Sequence, residues 1–263
     1  MIKIDAYTGM ARVIPAFIIA LPLALICYTW MPDSFAVLEG GLGKTLSKGA
    51  LASGLFAAVA FVVSQATRDA GKRLEARLWP EWDGSPSVRF LRHRDAAIDA
   101  VTKCRFHKRL VELGTVPSMP KLNDENLDPT GSDAFYRSAS DWLRAKTRDE
   151  KKFNLIFKEN VNYGFQRNLL GCKPIGLAIC AISAGSIGLA IYLGKLPFLE
   201  AGVTVIVALF LLTAVNESSL RRISDDYAKR LLEAIDQIEP AKTIAARSNA
   251  PNQAAKKTAP AEV

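Results

Sequence analysis

Histidine is almost absent: 2 of 263 residues. Both, His93 and His107, fall among the cations Arg89, Arg92, Arg94, Lys103, Arg105, Lys108 and Arg109. Together with Cys104 they are the only soft donors in the middle of the chain, separated by ten residues and then by two. That spacing fits no zinc pattern, and the guanidinium groups around it repel a cation, so no metal and no other cofactor is expected. The 4 cysteines, Cys27, Cys104, Cys172 and Cys180, contain no CxxC pair, and three lie in or beside apolar runs. They read as small hydrophobes in reducing surroundings, which excludes a disulfide framework.

Chemistry is scarce in other ways. A phosphate-cradling loop of the form GxxxxGK[ST] needs glycine five places before Gly43, where the chain has Leu38, so GGLGKT at 40–45 reads as a flexible turn. Cys104 beside Arg105 has the setting of a lowered thiol pKa, but one Cys near one His is common by chance, and no two carboxylates stand out from helix-surface charge, so no catalytic residue is assigned. Deep in the apolar runs there is no Asp, Glu, Lys, Arg or His; Glu200 lies near the end of one, close to Lys195. Transport sites are usually built from buried ionisable groups or interrupted helices, so this absence counts against a carrier.

Long apolar runs are what the chain does have. The first, 13–30, is eighteen uncharged residues, about 27 Å as a helix and close to the ~30 Å of a bilayer core. Pro15 and Pro22 kink it, Tyr28 and Trp30 suit a lipid–water boundary, and the lack of a small-x-small cleavage site makes it an uncleaved anchor. The second, 49–67, carries Gly49, Ser53, Ala57 and Ala60, a spacing that admits a close neighbour helix. The third, 174–193, is twenty uncharged residues including Gly176, Cys180, Ala184, Gly185 and Gly188, again suggesting tight helix contact. Gly194 to Pro197 turns the chain into the fourth, 199–215.

Charge orients these runs. Between 67 and 174 Lys and Arg outnumber Asp and Glu by 21 to 15, whereas 31–48 holds two of each sign. Under the positive-inside rule, segments 1–12, 68–173 and 216–240 and the tail 241–263 face the cytoplasm, with both termini inside. The net charge of +8 is then a matter of orientation, and nucleic acid is not the expected partner.

Between the runs helical patterns dominate. The second span continues in water to Pro80. SVRFLR at 87–92 fits a short strand; a helix follows from Asp95 to a stop at Gly114, then a polar loop. A helix over 132–146 carries the stripe Phe135, Ala139, Trp142 and Leu143. Thr147 and Glu150 form a capping box that opens a helix with Phe153, Ile156, Phe157, Val161, Phe165 and Leu169 at helical spacing. Gly164 inside it signals close packing or a bend, and Arg167 and Lys173 fall at headgroup level. Beyond the fourth span the same helix continues through Leu220, Ile223, Tyr227, Leu231, Ala234 and Ile238 to Pro240, a stripe that docks on the middle domain in preference to forming a coiled coil. The composition of 241–263 predicts a disordered tail.

Two stretches are candidates for function. Arg89, Arg92, Arg94, Arg105, Lys108 and Arg109 are candidate contacts for an anionic ligand or lipid phosphate, although positive-inside bias alone accounts for them. In ENVNYGFQRN, residues 159–168, Asn160, Asn162, Tyr163, Gly164, Arg167 and Asn168 form a candidate interface or hinge, because amides beside a bilayer hydrogen-bond neighbouring helices. That string, with RLWPEWDG at 77–84 and LRHRD at 91–95, resembles strings from an uncharacterised family of bacterial multi-pass membrane proteins. The resemblance covers the middle segment and implies no activity and no functional residue.

The expectation is an all-α membrane protein: two transmembrane hairpins, 13–67 and 174–215, around a mainly helical cytosolic domain, 68–173. It is placed in the bacterial inner membrane, in a homo-oligomer or with a partner protein. Its expected role is non-enzymatic, the cytosolic domain sensing or recruiting a partner or anionic ligand and acting on the spans; a stress or anti-phage effector fits by analogy of architecture. The alternatives are a small transporter or channel subunit, and a membrane-tethered enzyme.

Overall fold

The structure, a computed structural model, describes residues 6–30 and 46–240, and for 46–60 the backbone alone. The GGLGKT string up to Thr45, the tail 241–263 and the small side chains expected to pack along 49–60 lie outside the described residues. In chain order the helices are α1 (Ala6–Trp30), α2 (Leu46–Glu81), α3 (Pro86–Arg89), α4 (Ala100–Glu112), α5 (Leu122–Leu127), α6 (Pro129–Lys146), α7 (Asn154–Tyr192), α8 (Phe198–Thr213) and α9 (Glu217–Glu233). A π-helical stretch, Gly9–Val13, interrupts α1, and a 3-10 turn, Ala234–Gln237, follows α9. No strand occurs among the described residues. The chain divides into two compact units, residues 1–85 with 154–227 and residues 86–153 with 228–263.

In the first unit α1 and α7 are each long and apolar enough to cross a membrane, and α8 with α9 makes a third only if that bent pair counts as one span. The pattern of exposure suits lipid. Ile175, Ile182, Leu189 and Ile191 of α7 and Val205, Ile206, Leu209 and Leu212 of α8 are more than half exposed, while Cys180, Ser183 and Thr204 are buried. Large aliphatics outward and small or polar groups inward is the reverse of the usual arrangement in water. The core between these helices joins Ile19, Leu169, Cys172, Cys180, Val207 and Leu211. α7 runs unbroken through Pro174, so the water-type half and the apolar half are one rod of 39 residues.

The fourth helix does not continue into the amphipathic stretch as expected. It breaks at 214–216 and the axis turns by 66°. Asn216 makes the break: its Nδ2 donates to the Thr213 carbonyl at 3.0 Å, and its Oδ1 accepts from the Ser219 amide at 2.8 Å. One side chain thus ends α8 and caps α9.

In the second unit α6 packs on α3 and α5, and α4 packs on the Ala234–Gln237 turn. Arg109 donates to the Ile238 carbonyl at 2.9 Å and Arg105 pairs with Asp236 at 3.1 Å, so the end of the amphipathic stretch docks on the middle domain. Phe90, Leu91, Phe106, Leu110, Tyr136, Ala139 and Leu143 are buried in this unit.

Four local expectations are corrected. SVRFLR is not a strand: Pro86, its φ preset for helix, opens α3, and the chain then turns through residues 90–94. Asp95 does not start the next helix, because its carboxylate accepts from the Ala97 amide and pairs with Arg89; Asp99 caps α4, accepting from Thr102 at 2.8 Å. α6 starts at Pro129, capped by Asp128, and its buried face is Ser132, Tyr136, Ala139, Ser140 and Leu143, with Phe135 exposed. Thr147 does not open α7. Its hydroxyl donates back to Leu143 at 2.8 Å, while the Asp149 carboxylate accepts from the amides of Lys151 and Lys152, and α7 begins at Asn154.

Candidate functional site

The basic cluster is largely paired within the second unit. Arg92, nearly buried, meets both oxygens of Asp133 at 2.7 and 2.6 Å, the two-pronged geometry that suits guanidinium and carboxylate. Arg89 pairs with Asp95 at 3.2 Å, Arg94 with Glu125 at 3.4 Å, Arg105 with Asp236, and Arg109 with Glu112 at 3.2 Å. Lys108 is exposed. The six expected ligand contacts are therefore spread over α3, α4 and the turn between them, and five hold carboxylates of their own chain.

Glu125 is the hub of this unit. Its Oε2 accepts from the Tyr136 hydroxyl at 2.7 Å and the His93 amide at 2.8 Å, and its Oε1 faces the amide and guanidinium of Arg94. Burial alone raises the carboxyl pKa, and the donors from Tyr136, His93 and Arg94 outweigh it, so Glu125 titrates below an ordinary carboxylate. The same burial and the Glu125 bond push the Tyr136 phenol up. Nothing in the sequence marks Glu125, which lies in the polar run Asn123-Asp124-Glu125-Asn126.

Beside the hub lies a cavity of about 400 Å³ walled in part by His93, Lys103, Cys104 and His107. Three of these four side chains are already engaged. Lys103 donates to the carbonyls of Arg92, at 2.6 Å, and Asp95; burial lowers its pKa, and Asp95 and Glu125 act against that. His107 Nε2–H donates to the Leu91 carbonyl at 2.7 Å, and burial takes its pKa to about 4. His93 Nε2 lies 2.9 Å from the Pro120 carbonyl and its ring meets His107 edge to face at 4.9 Å. The histidines hold the turn between α3 and α4, and no group of three metal donors forms among the described residues. Cys104 is exposed and free.

The first unit gathers the second candidate stretch into a polar joint on α7. Asn168 Nδ2 donates to the Ala11 carbonyl at 2.7 Å, inside the π-helical stretch of α1. Asn168 Oδ1 accepts from Arg167 at 3.2 and 3.1 Å, and Arg167 Nη1 reaches Glu75 of α2 at 2.8 Å, with both side chains at most 15% exposed. On the other side Gln166 donates to Ala214 at 3.2 Å and Lys173 to Val215 at 2.8 Å, the carbonyls released where α8 ends. One segment of α7 thus ties down α1, α2 and α8 through polar side chains.

Three glycines permit the approach. A Cβ on Gly171 would stand 2.7 Å from the backbone of Ala70, one on Gly71 would strike Asn168, and one on Gly164 would stand 2.7 Å from the Tyr7 hydroxyl. Gly164 therefore serves close packing within a continuous helix. Gly185 and Gly188, expected in tight contacts, have nothing within 4 Å of such a Cβ among the described residues. Of the candidate interface residues, Tyr163, Gly164, Arg167 and Asn168 enter the joint or its flank, where Tyr163 stacks on Tyr227 at 6.1 Å. Asn160 is half-buried and Asn162 exposed. Glu75, Gly71 and Gly171 were not evident from sequence, since each needs its partner helix to acquire meaning.

No family model matches the chain, and no curated protein and no solved structure matches it. Among the described residues, fold and site define an all-helical protein with two helices apolar enough to span a membrane and a polar joint on the longer one.

Proposed function

We propose that the chain is a non-enzymatic, multi-pass bacterial inner-membrane protein with four spans, in which unit 86–153 is cytosolic and signals to the spans. That unit senses or recruits a partner or an anionic ligand, and the event reaches the spans through the polar joint on α7. The carrying observation is the joint itself: a buried Arg167–Glu75 pair and the Asn168–Ala11 bond at the level where α7 passes from charged to apolar sequence. Buried ionic and amide groups at such a level hold helices in one register, and they offer a discrete arrangement to switch away from. The chain also passes between the two units three times, at 85–86, 153–154 and 227–228, which gives a covalent route for the signal. Basic excess in 67–174 supports the inward orientation and both termini in the cytoplasm.

The experiment is induced expression with a membrane-potential dye, alongside purification in mild detergent. The wild type is expected to depolarise cells or to carry a partner, and Asn168→Ala with Arg167→Ala to lose that effect while still reaching the membrane. The absence of both depolarisation and a partner contradicts the proposal.

A further inference from the structure

We propose that the groove between α2 and α7 is a binding site for one anionic phospholipid, its phosphate held by Arg73, Arg77 and Lys173. The inference rests on the membrane reading above. The groove is open, about 660 Å³, and belongs wholly to the first unit. It lies beside a close approach of the two helices, where Gly171 faces Ala70. The helices run antiparallel there: Glu75 of α2 meets Arg167 of α7, and further along Gly71 meets Asn168. Their charged ends therefore share one end of the groove and their apolar ends the other.

The lining follows that polarity. Among the described residues Arg73 and Arg77, one turn apart on α2, and Lys173 on α7 are its charged groups, and no carboxylate lines it. Leu170, Ile175 and Leu177 supply the apolar wall, with Ile175 58% exposed. Three cations over an aliphatic wall match a phosphate over an acyl chain; a soluble anion would leave the wall unused.

The cations are available. Among the described residues Arg73 makes only a 3.4 Å bond, to the Asp69 carbonyl of its own helix. Arg77 pairs with Glu217 at 2.8 Å, but both side chains are more than half exposed, and such pairs are weak. Lys173 spends one of its three donor hydrogens on the Val215 carbonyl.

The test uses the full-length protein, delipidated in mild detergent and given back dioleoyl-phosphatidylglycerol or dioleoyl-phosphatidylcholine, with bound lipid counted by native mass spectrometry. The wild type is expected to retain the anionic lipid at least about tenfold more tightly, each neutralised cation costing about fivefold. Arg73→Gln with Arg77→Gln and Lys173→Gln abolishes the preference, and Lys72→Gln, on the same helix and outside the groove, leaves it intact. Arg73→Gln alone, at an exposed position, decides the matter if the triple variant elutes as an aggregate. Equal retention of the two lipids, an unchanged triple variant, or equal stabilisation by inorganic phosphate at the same concentration overturns the assignment. Carbonate washing of membranes separates the two claims. A wild type that sediments but ignores lipid charge removes this site alone, whereas a wild type released by the wash removes the membrane reading.

Discussion

Asn168 donates to the carbonyl of Ala11 across 157 positions of sequence, and its other amide atom accepts from Arg167, which in turn holds Glu75. Three helices thus meet on one amide group. Asn168→Ala leaves the Ala11 carbonyl and part of the Arg167 guanidinium without a partner, and is expected to cost about 1–2 kcal/mol. Thermal unfolding of the full chain in detergent measures it.

Gly71 and Asn168 are coupled by space. Gly71→Ala pushes a methyl into the Asn168 side chain and should destabilise more than Asn168→Ala. Trimming Asn168 at the same time removes that collision, so the double variant is expected to be less damaged than the sum of the singles. Strict additivity in the double-mutant cycle contradicts the described packing.

Gly171 and Gly185 should behave oppositely, although both look alike in sequence. Gly171→Ala meets backbone at Ala70, which cannot yield, and is expected to separate α2 from α7 and lower the yield of folded protein. Gly185→Ala meets nothing within 4 Å among the described residues and gains helix propensity of about 1 kcal/mol, so the monomer is expected to be unchanged or steadier. Expression level and melting temperature of the two variants distinguish these outcomes.

Acid should loosen the unit 86–153. His107 has a free pKa of 6.5 and a folded pKa of about 4, so between those values the unfolded chain binds the proton and the folded unit does not. Stability is then full above pH 6.5 and falls by up to about 3 kcal/mol as the pH drops to about 4. Glu125, whose folded pKa is depressed, adds a further loss below its ordinary value of 4.5. Hydrogen exchange of peptides from α4 and α6, corrected for intrinsic rates, reports the fall, and His107→Gln should flatten the part above pH 4.5.

Much of this was legible in the sequence where a residue acts on its own neighbours. Gly114 and Gly194 stop helices at φ of 71° and 78° as their positions suggested, and the apolar runs at the start and centre lie in the two span-length helices. Illegible features depend on which of several local options a side chain takes. Thr147 and Asp95 have the residue types of helix starts, yet one hydroxyl turns back to Leu143 and the other side chain is occupied by Arg89. Asn216 gave no sign of a break, because its two bonds exist only once α8 has ended. The pairing of the basic cluster was not legible because its carboxylates, Asp133, Glu125 and Asp236, are 31 to 131 positions away.

Cysteine accessibility in spheroplasts tests the central claim most directly. With Cys27, Cys172 and Cys180 replaced by Ala, exposed Cys104 reports on the second unit, and Leu196→Cys, in a Cys104→Ala background, reports on the turn between α7 and α8. A membrane-impermeant maleimide is expected to label position 196 in intact spheroplasts and Cys104 only after lysis. Labelling of Cys104 from outside, or of both positions only after lysis, contradicts a cytosolic unit held by membrane-crossing helices.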